Sequence, residues 1–201
     1  TYMLDKNLIE SVIFCIILAI VLYFSITYYN NRNHTYVKAD DGNQYRVQIT
    51  EDNKESANLL SDAITRVKTL LDHLKKSESQ DIRTKTLLSR FNPNNITEND
   101  PQEMKSGVTS YTVNKGEKIV VCLRQRNNNF VEINTLMYVI IHELAHICDL
   151  TSQQHDEKFW NNFEWLLEHA VNIGIYNYVD YSKDQEPYCG MNITSNVLND
   201  Q

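Results

Sequence analysis

Between Glu10 and Arg32 the chain runs for 21 residues without a charge, and from Val12 to Ile26 Ser25 is the one strongly polar side chain. Wound as a helix at about 1.5 Å per residue, such a run measures about 30 Å, the thickness of a bilayer's hydrocarbon core. Residues 11–31 are therefore predicted to be one N-terminal transmembrane helix, with 1–10 as a flank and 32–201 as the domain it tethers. Tyr23, Phe24, Tyr28 and Tyr29 gather toward the C-terminal end of the run, where amphipathic rings favour the headgroup layer. A cleaved signal peptide fits less well, because Lys6 stands beside Asp5 at the start and no small-x-small site follows. The lipid bilayer is thus an expected partner through residues 11–31. Lys6 on one flank against Arg32, Lys38 and Arg46 on the other tips the positive-inside count toward a cytoplasmic domain.

The rest must form a core. Apolar residues are 42% and aromatics 10% of the 201, with five Gly and three Pro, which suits one folded domain and excludes a disordered or fibrous chain. A net charge of −7, with no run of five like charges, argues against a nucleic-acid partner. Of the four cysteines, Cys15 lies in the apolar run; the odd three that remain do not read as a disulfide scaffold, and a reduced compartment is expected. Asparagine is so abundant that the three Asn-x-Ser/Thr triplets, at Asn33, Asn95 and Asn192, match the roughly three expected by chance.

Hydropathy patterning places the elements. Tyr36–Lys38 and Gln44–Ile49 flank an Asp-Asp-Gly-Asn turn and predict a hairpin. Leu59, Leu60, Ala63, Ile64, Val67, Leu70, Leu71 and Leu74 recur at helical spacing and predict a long amphipathic helix over about 55–76. A shorter helix with Ile82, Leu87 and Leu88 should end before Asn92-Pro93, with an irregular loop to about 105. Tyr111–Val113 and Ile119–Leu123 form a second expected hairpin, whose Ile119–Leu123 strand is either a free edge for an extended peptide or ordinary core sheet. Leu136–Cys148, capped by Asn134 or Thr135, reads as an almost wholly apolar helix, and Asp156 to about Ile173 as another. The tail from Tyr176 shows no periodicity. The whole is an α+β domain behind an anchor.

His142, Glu143 and His146 interrupt the apolar helix as His-Glu-Leu-Ala-His. Residues four apart lie about 40° apart around a helix, so both imidazoles leave one face. Two neutral imidazoles can share one Zn2+, with Glu143 placed to reach a metal-bound water as general base. By composition alone the pattern is expected about 0.01 times in such a chain, and three buried polar groups without a partner would be costly. A hydrolytic site needs a third protein ligand and an open position. His155, which follows a polar turn and precedes the next helix, is the candidate. Glu164 and Glu168 on that helix are the rivals.

His-Glu-Leu-Ala-His followed by His155-Asp156-Glu157-Lys158-Phe159-Trp160 resembles the pattern of WLM and SprT-like zinc metallopeptidases. It is similar also to predicted membrane-anchored metallopeptidases of large DNA viruses, which share Tyr178–Ser182 and Pro187–Met191. The likeness covers about residues 108–195. It implies a zincin-like fold with an active-site helix and a small antiparallel sheet, Zn2+ on His142, His146 and His155, Glu143 as general base, and a peptide or protein substrate. The alternative is a structural minor capsid or virion inner-membrane protein in which the metal site is vestigial or purely structural. Cys189 and Cys148 are read as buried thiols, His73 and His169 as helix-face histidines, His34 as juxtamembrane, and Trp160 and Trp165 as core or interface aromatics.

Overall fold

The computed structural model describes residues 6–151 and 154–198. Part of the expected N-terminal flank, two residues of the polar turn before His155 and the end of the tail lie outside the described residues. The uncharged run is one helix, α1 (Lys6–Asn31), and its stretch Leu8–Tyr29 is long and apolar enough to cross a membrane. None of that stretch is buried against the domain.

The first hairpin pairs β1 (His34–Lys38) with β2 (Gln44–Gln48), Tyr36 lying opposite Arg46. Gly42 takes a φ of +86° in the turn, a conformation open to glycine at little cost. Next comes α2 (Asn53–Ser77), whose predicted apolar face is buried from Leu60 to Leu74. The Asp81 carboxylate accepts from Arg83 N at 2.7 Å and sets the start of α3 (Ile82–Arg90), which stops at Phe91 ahead of Pro93.

Where an irregular loop was expected, the structure has β3 (Ile96–Glu98) and α4 (Pro101–Lys105). A three-residue strand with no hairpin turn and partner run beside it, unlike Tyr111–Val113, leaves no pattern to read in sequence. β4 (Tyr111–Val113) and β5 (Lys118–Val121) follow, and the sheet order is β3-β5-β4, with β5 parallel to β3 and antiparallel to β4. The sheet is therefore mixed, and Ile119–Val121 is core strand and not a free edge. The edge beside it is β4.

α5 (Ile133–Cys148) and α6 (Glu157–Asn172) pack on each other, and α5 also meets α3, α2 and β5. Leu144, Ile140 and Ile141 of α5, Phe163 and Leu166 of α6 and the leucines of α2 share one core. Neither expected residue caps α5. Glu132 holds the cap position without a side-chain bond, and Asn134 instead bonds the backbone N and O of Asn177. The tail is ordered as a hairpin of β6 (Glu186–Tyr188) and β7 (Met191–Ile193).

Two buried features tie these layers together. Glu98 is fully buried; its Oε2 accepts from Gln48 N at 2.7 Å and its Oε1 lies 3.5 Å from Arg124 Nε. Arg124 also donates to Asp52 Oδ2 and Ser56 Oγ, each at 2.6 Å. Burial raises the Glu98 pKa above the usual carboxylate value, while the Gln48 amide and Arg124 oppose that rise. The second feature corrects the sequence reading. Cys189, in the β6–β7 turn, is disulfide-bonded to Cys122 just after β5, so neither is a free thiol. Their separation of 67 residues gave spacing arguments nothing to act on.

Closing a loop of that length should stabilise the domain by about 4 kcal/mol. Cys122→Ser/Cys189→Ser protein should lose about that much in a denaturant titration. Unreduced, unfolded protein should titrate two thiols, Cys15 and Cys148, of its four cysteines; four titratable thiols would contradict the bond.

Candidate metal centre

α5 buries nearly all of its surface and turns His142 and His146 out from one face, with ring centroids 5.1 Å apart. The third histidine arrives from the start of α6. Asp156 is the N-cap there, its side chain accepting from Phe159 N at 2.9 Å, and this fixes His155 one residue before the cap. Lys115, in the β4–β5 turn, donates to Leu150 O at 2.6 Å and secures the chain where it leaves α5. His155 Nε2 lies 3.0 Å from His142 Nε2, and its ring centroid is 4.9 Å from that of His142 and 5.1 Å from that of His146.

One nitrogen from each of the three rings lies within 4.8 Å of the others. Donors about one tetrahedral Zn2+ at roughly 2.0–2.1 Å stand about 3.4 Å apart, so the donor set fits the ion. Among the described residues these histidines are the one group of three or more metal-ligating side chains so gathered, and Glu164 and Glu168 take no part in it. His142 and His146 are half-buried and His155 is exposed, which leaves the cluster open on the His155 side.

Phe159 is the floor. Fully buried, its ring lies 4.8, 4.4 and 4.6 Å from those of His142, His146 and His155. Trp160 flanks the outer ring, 5.8 Å from His155. The Phe-Trp pair therefore does different work at each position: one packs beneath the imidazoles, the other shields the rim.

Glu143, 5% exposed, points toward the sheet edge, where Thr112 Oγ1 of β4 donates to its Oε2 at 2.8 Å and lies 3.2 Å from its backbone O. Burial raises the Glu143 pKa to about 7, the Thr112 hydrogen bond opposing part of the rise. Burial, then the neighbouring imidazoles, lower His142 to about 3; burial, then His155, lower His146 to about 4. Both rings are thus held in the neutral form a metal requires. Thr112 was not foreseen, since nothing in the sequence links position 112 to 143. Phe159 was placed correctly on the inner face of its helix, but its contact with all three histidines is a tertiary feature that spacing does not show. His73 and His169, read as helix-face histidines, meet at 3.1 Å between Nε2 and Nδ1.

In protein stripped of metal by chelation, the two lowered imidazoles make the unfolded chain bind more protons below about pH 6.5, so their contribution to stability falls as pH falls. Glu143 has the opposite sign between about 4.5 and 7. Two groups against one leave a net proton uptake on unfolding, so stability should rise as the pH rises from 5 to 6.5. Urea titrations should show that gain, and His142→Gln/His146→Gln protein should lose it.

A family model for the WLM domain matches residues 43–194. Protein R325 of Acanthamoeba polyphaga mimivirus is 33% identical over 190 residues, which cover 91% of this chain and 94% of that protein. Protein 136R of Invertebrate iridescent virus 6 is 34% identical over 95 residues, 45% of this chain and 51% of the relative. Among solved structures, Wss1 from Saccharomyces cerevisiae matches with a TM-score of 0.48 at 23% identity, over 64% of this chain and 87% of Wss1.

Proposed function

The chain belongs to the WLM domain family, and from that membership together with the three-imidazole cluster we propose that it is a membrane-anchored zinc metallopeptidase. The observation that carries this reading is the convergence of His142, His146 and His155 beside a buried glutamate. Those three residues would hold Zn2+, which when bound polarises a substrate carbonyl and brings the pKa of water toward about 7. Glu143 takes the proton of the attacking water and returns it to the leaving amide nitrogen. Burial makes its carboxylate a stronger base than an exposed one. Thr112 ties Oε2 to β4, which leaves Oε1 for the water. Because β4 is the sheet edge and carries Thr112, an extended substrate adding to that edge by main-chain hydrogen bonds would present its scissile bond near Glu143.

The exposed apolar length of α1 supports the anchor, since a patch of that size is untenable in water. Relatives in mimivirus and an iridescent virus support a large DNA virus as the setting. The Cys122–Cys189 bond favours a domain that meets an oxidising compartment, against the cytoplasmic side suggested by the flanking charges. A minor capsid role leaves Glu143 and its Thr112 bond without a task, which is why the peptidase reading is preferred.

The test is proteolysis of unfolded protein substrates by the full chain in detergent micelles, with zinc content measured beside it. Glu143→Gln should keep zinc and lose cleavage by about 10²-fold or more. His155→Ala should lose both. Thr112→Val should keep zinc and cleave more slowly. Unchanged cleavage by Glu143→Gln would remove this residue from the mechanism.

A further inference from the structure

Composition alone accounts for the number of Asn-x-Ser/Thr triplets, but the fold sets the three apart. Asn33 lies two residues past the end of α1, which is headgroup depth once α1 is in a membrane. It is half-buried, and its Nδ2 donates to Asp100 Oδ2 at 2.9 Å. Asn95 is exposed, but its Nδ2 donates to the backbone O of Glu117 at 2.9 Å, and the hydroxyl of Thr97, third in that triplet, is buried.

Asn192 differs from both. It stands on β7 opposite Pro187 of β6, and Asn192, Thr194 and Pro187 are all exposed. Residues two apart on a strand share a face, so Asn192 and Thr194 look outward together while Ile193 between them packs into the core. The Asn192 Nδ2 reaches the exposed Gln185 Oε1 at 3.5 Å, the outer limit of a hydrogen bond, so a substituent on that nitrogen disturbs little.

A second, independent observation concerns the compartment. Cys189 lies in the turn of the same hairpin, three residues before Asn192, and is bonded to Cys122. Such bonds form and persist in oxidising compartments. One hairpin occupies one side of a membrane, so the side that oxidised Cys189 is the side that Asn192 meets.

We propose that Asn192 carries an N-linked oligosaccharide, transferred by a lumenal enzyme of the host from a lipid-linked diphosphate donor. Asn192 Nδ2 attacks the anomeric carbon of the donor sugar. A nitrogen–carbon bond forms, the bond from that carbon to the diphosphate oxygen breaks, the diphospholipid leaves, and the nitrogen gives up one proton to a base of the transferase. No electron changes hands. The proposal rests on the anchor and oxidising-compartment readings and is independent of the peptidase chemistry.

The test is translation of the full chain in the presence of microsomal membranes, read by gel mobility before and after endoglycosidase H, with protease added to the intact vesicles. One glycan is expected, on a domain protected from the protease. Asn192→Gln and Thr194→Ala should each remove it, Thr194→Ser should keep it, and Asn33→Gln and Asn95→Gln should leave it in place. A protected domain without a glycan, or a glycan that survives in Asn192→Gln, would overturn the assignment and leave the compartment reading standing. A domain digested from outside the vesicles would overturn both.

Discussion

A helix that buries most of its circumference can carry polar side chains only where each is met by a partner. α5 carries three of them within about one turn, and the surrounding fold is arranged to meet all three. His142 and His146 meet a third imidazole and the face of Phe159; Glu143 meets the hydroxyl of Thr112. Remove the incoming His155 or the sheet edge, and the same helix holds buried polar groups in apolar surroundings, at a cost of about 1–3 kcal/mol for each one left unsatisfied. The chemistry therefore depends on elements distant in sequence being brought to one face of α5.

Two connections secure that convergence. On the α6 side, the Asp156 cap and the Lys115 to Leu150 hydrogen bond fix the two ends of the turn from which His155 reaches back. On the sheet side, the Glu98–Arg124 pair couples β3 to β2 and α2, and the Cys122–Cys189 bond fastens the tail hairpin to the end of β5. Tyr188, next to Cys189, is fully buried there and hydrogen-bonds Ser110 just ahead of β4, so the tail supports the strand that positions Glu143.

Much of this was legible in the residues. Helical spacing gave α2, α3, α5 and α6 to within a few positions, and the His-Glu-x-x-His pattern with His155 picked out the three histidines that the fold brings together, because metal chemistry restricts both residue type and interval. What escaped notice was non-local or short. β3, α4 and the strands β6 and β7 span three to five residues each, too few to show a period. The role of Ile119–Leu123 was left open because an edge strand and a central strand differ only in their neighbours. The disulfide was misread because pairing across 67 residues leaves no local trace, and Thr112 because a hydroxyl's target is a matter of tertiary contact.

The central claim is that three histidines share one ion and leave it open to water. X-ray absorption at the zinc edge, on full-length protein purified with one equivalent of the metal, tests it without any substrate. The account predicts three imidazole nitrogens and one further light atom, all at about 2.0–2.1 Å. A spectrum showing sulfur at about 2.3 Å, or fewer than three imidazoles, would contradict it.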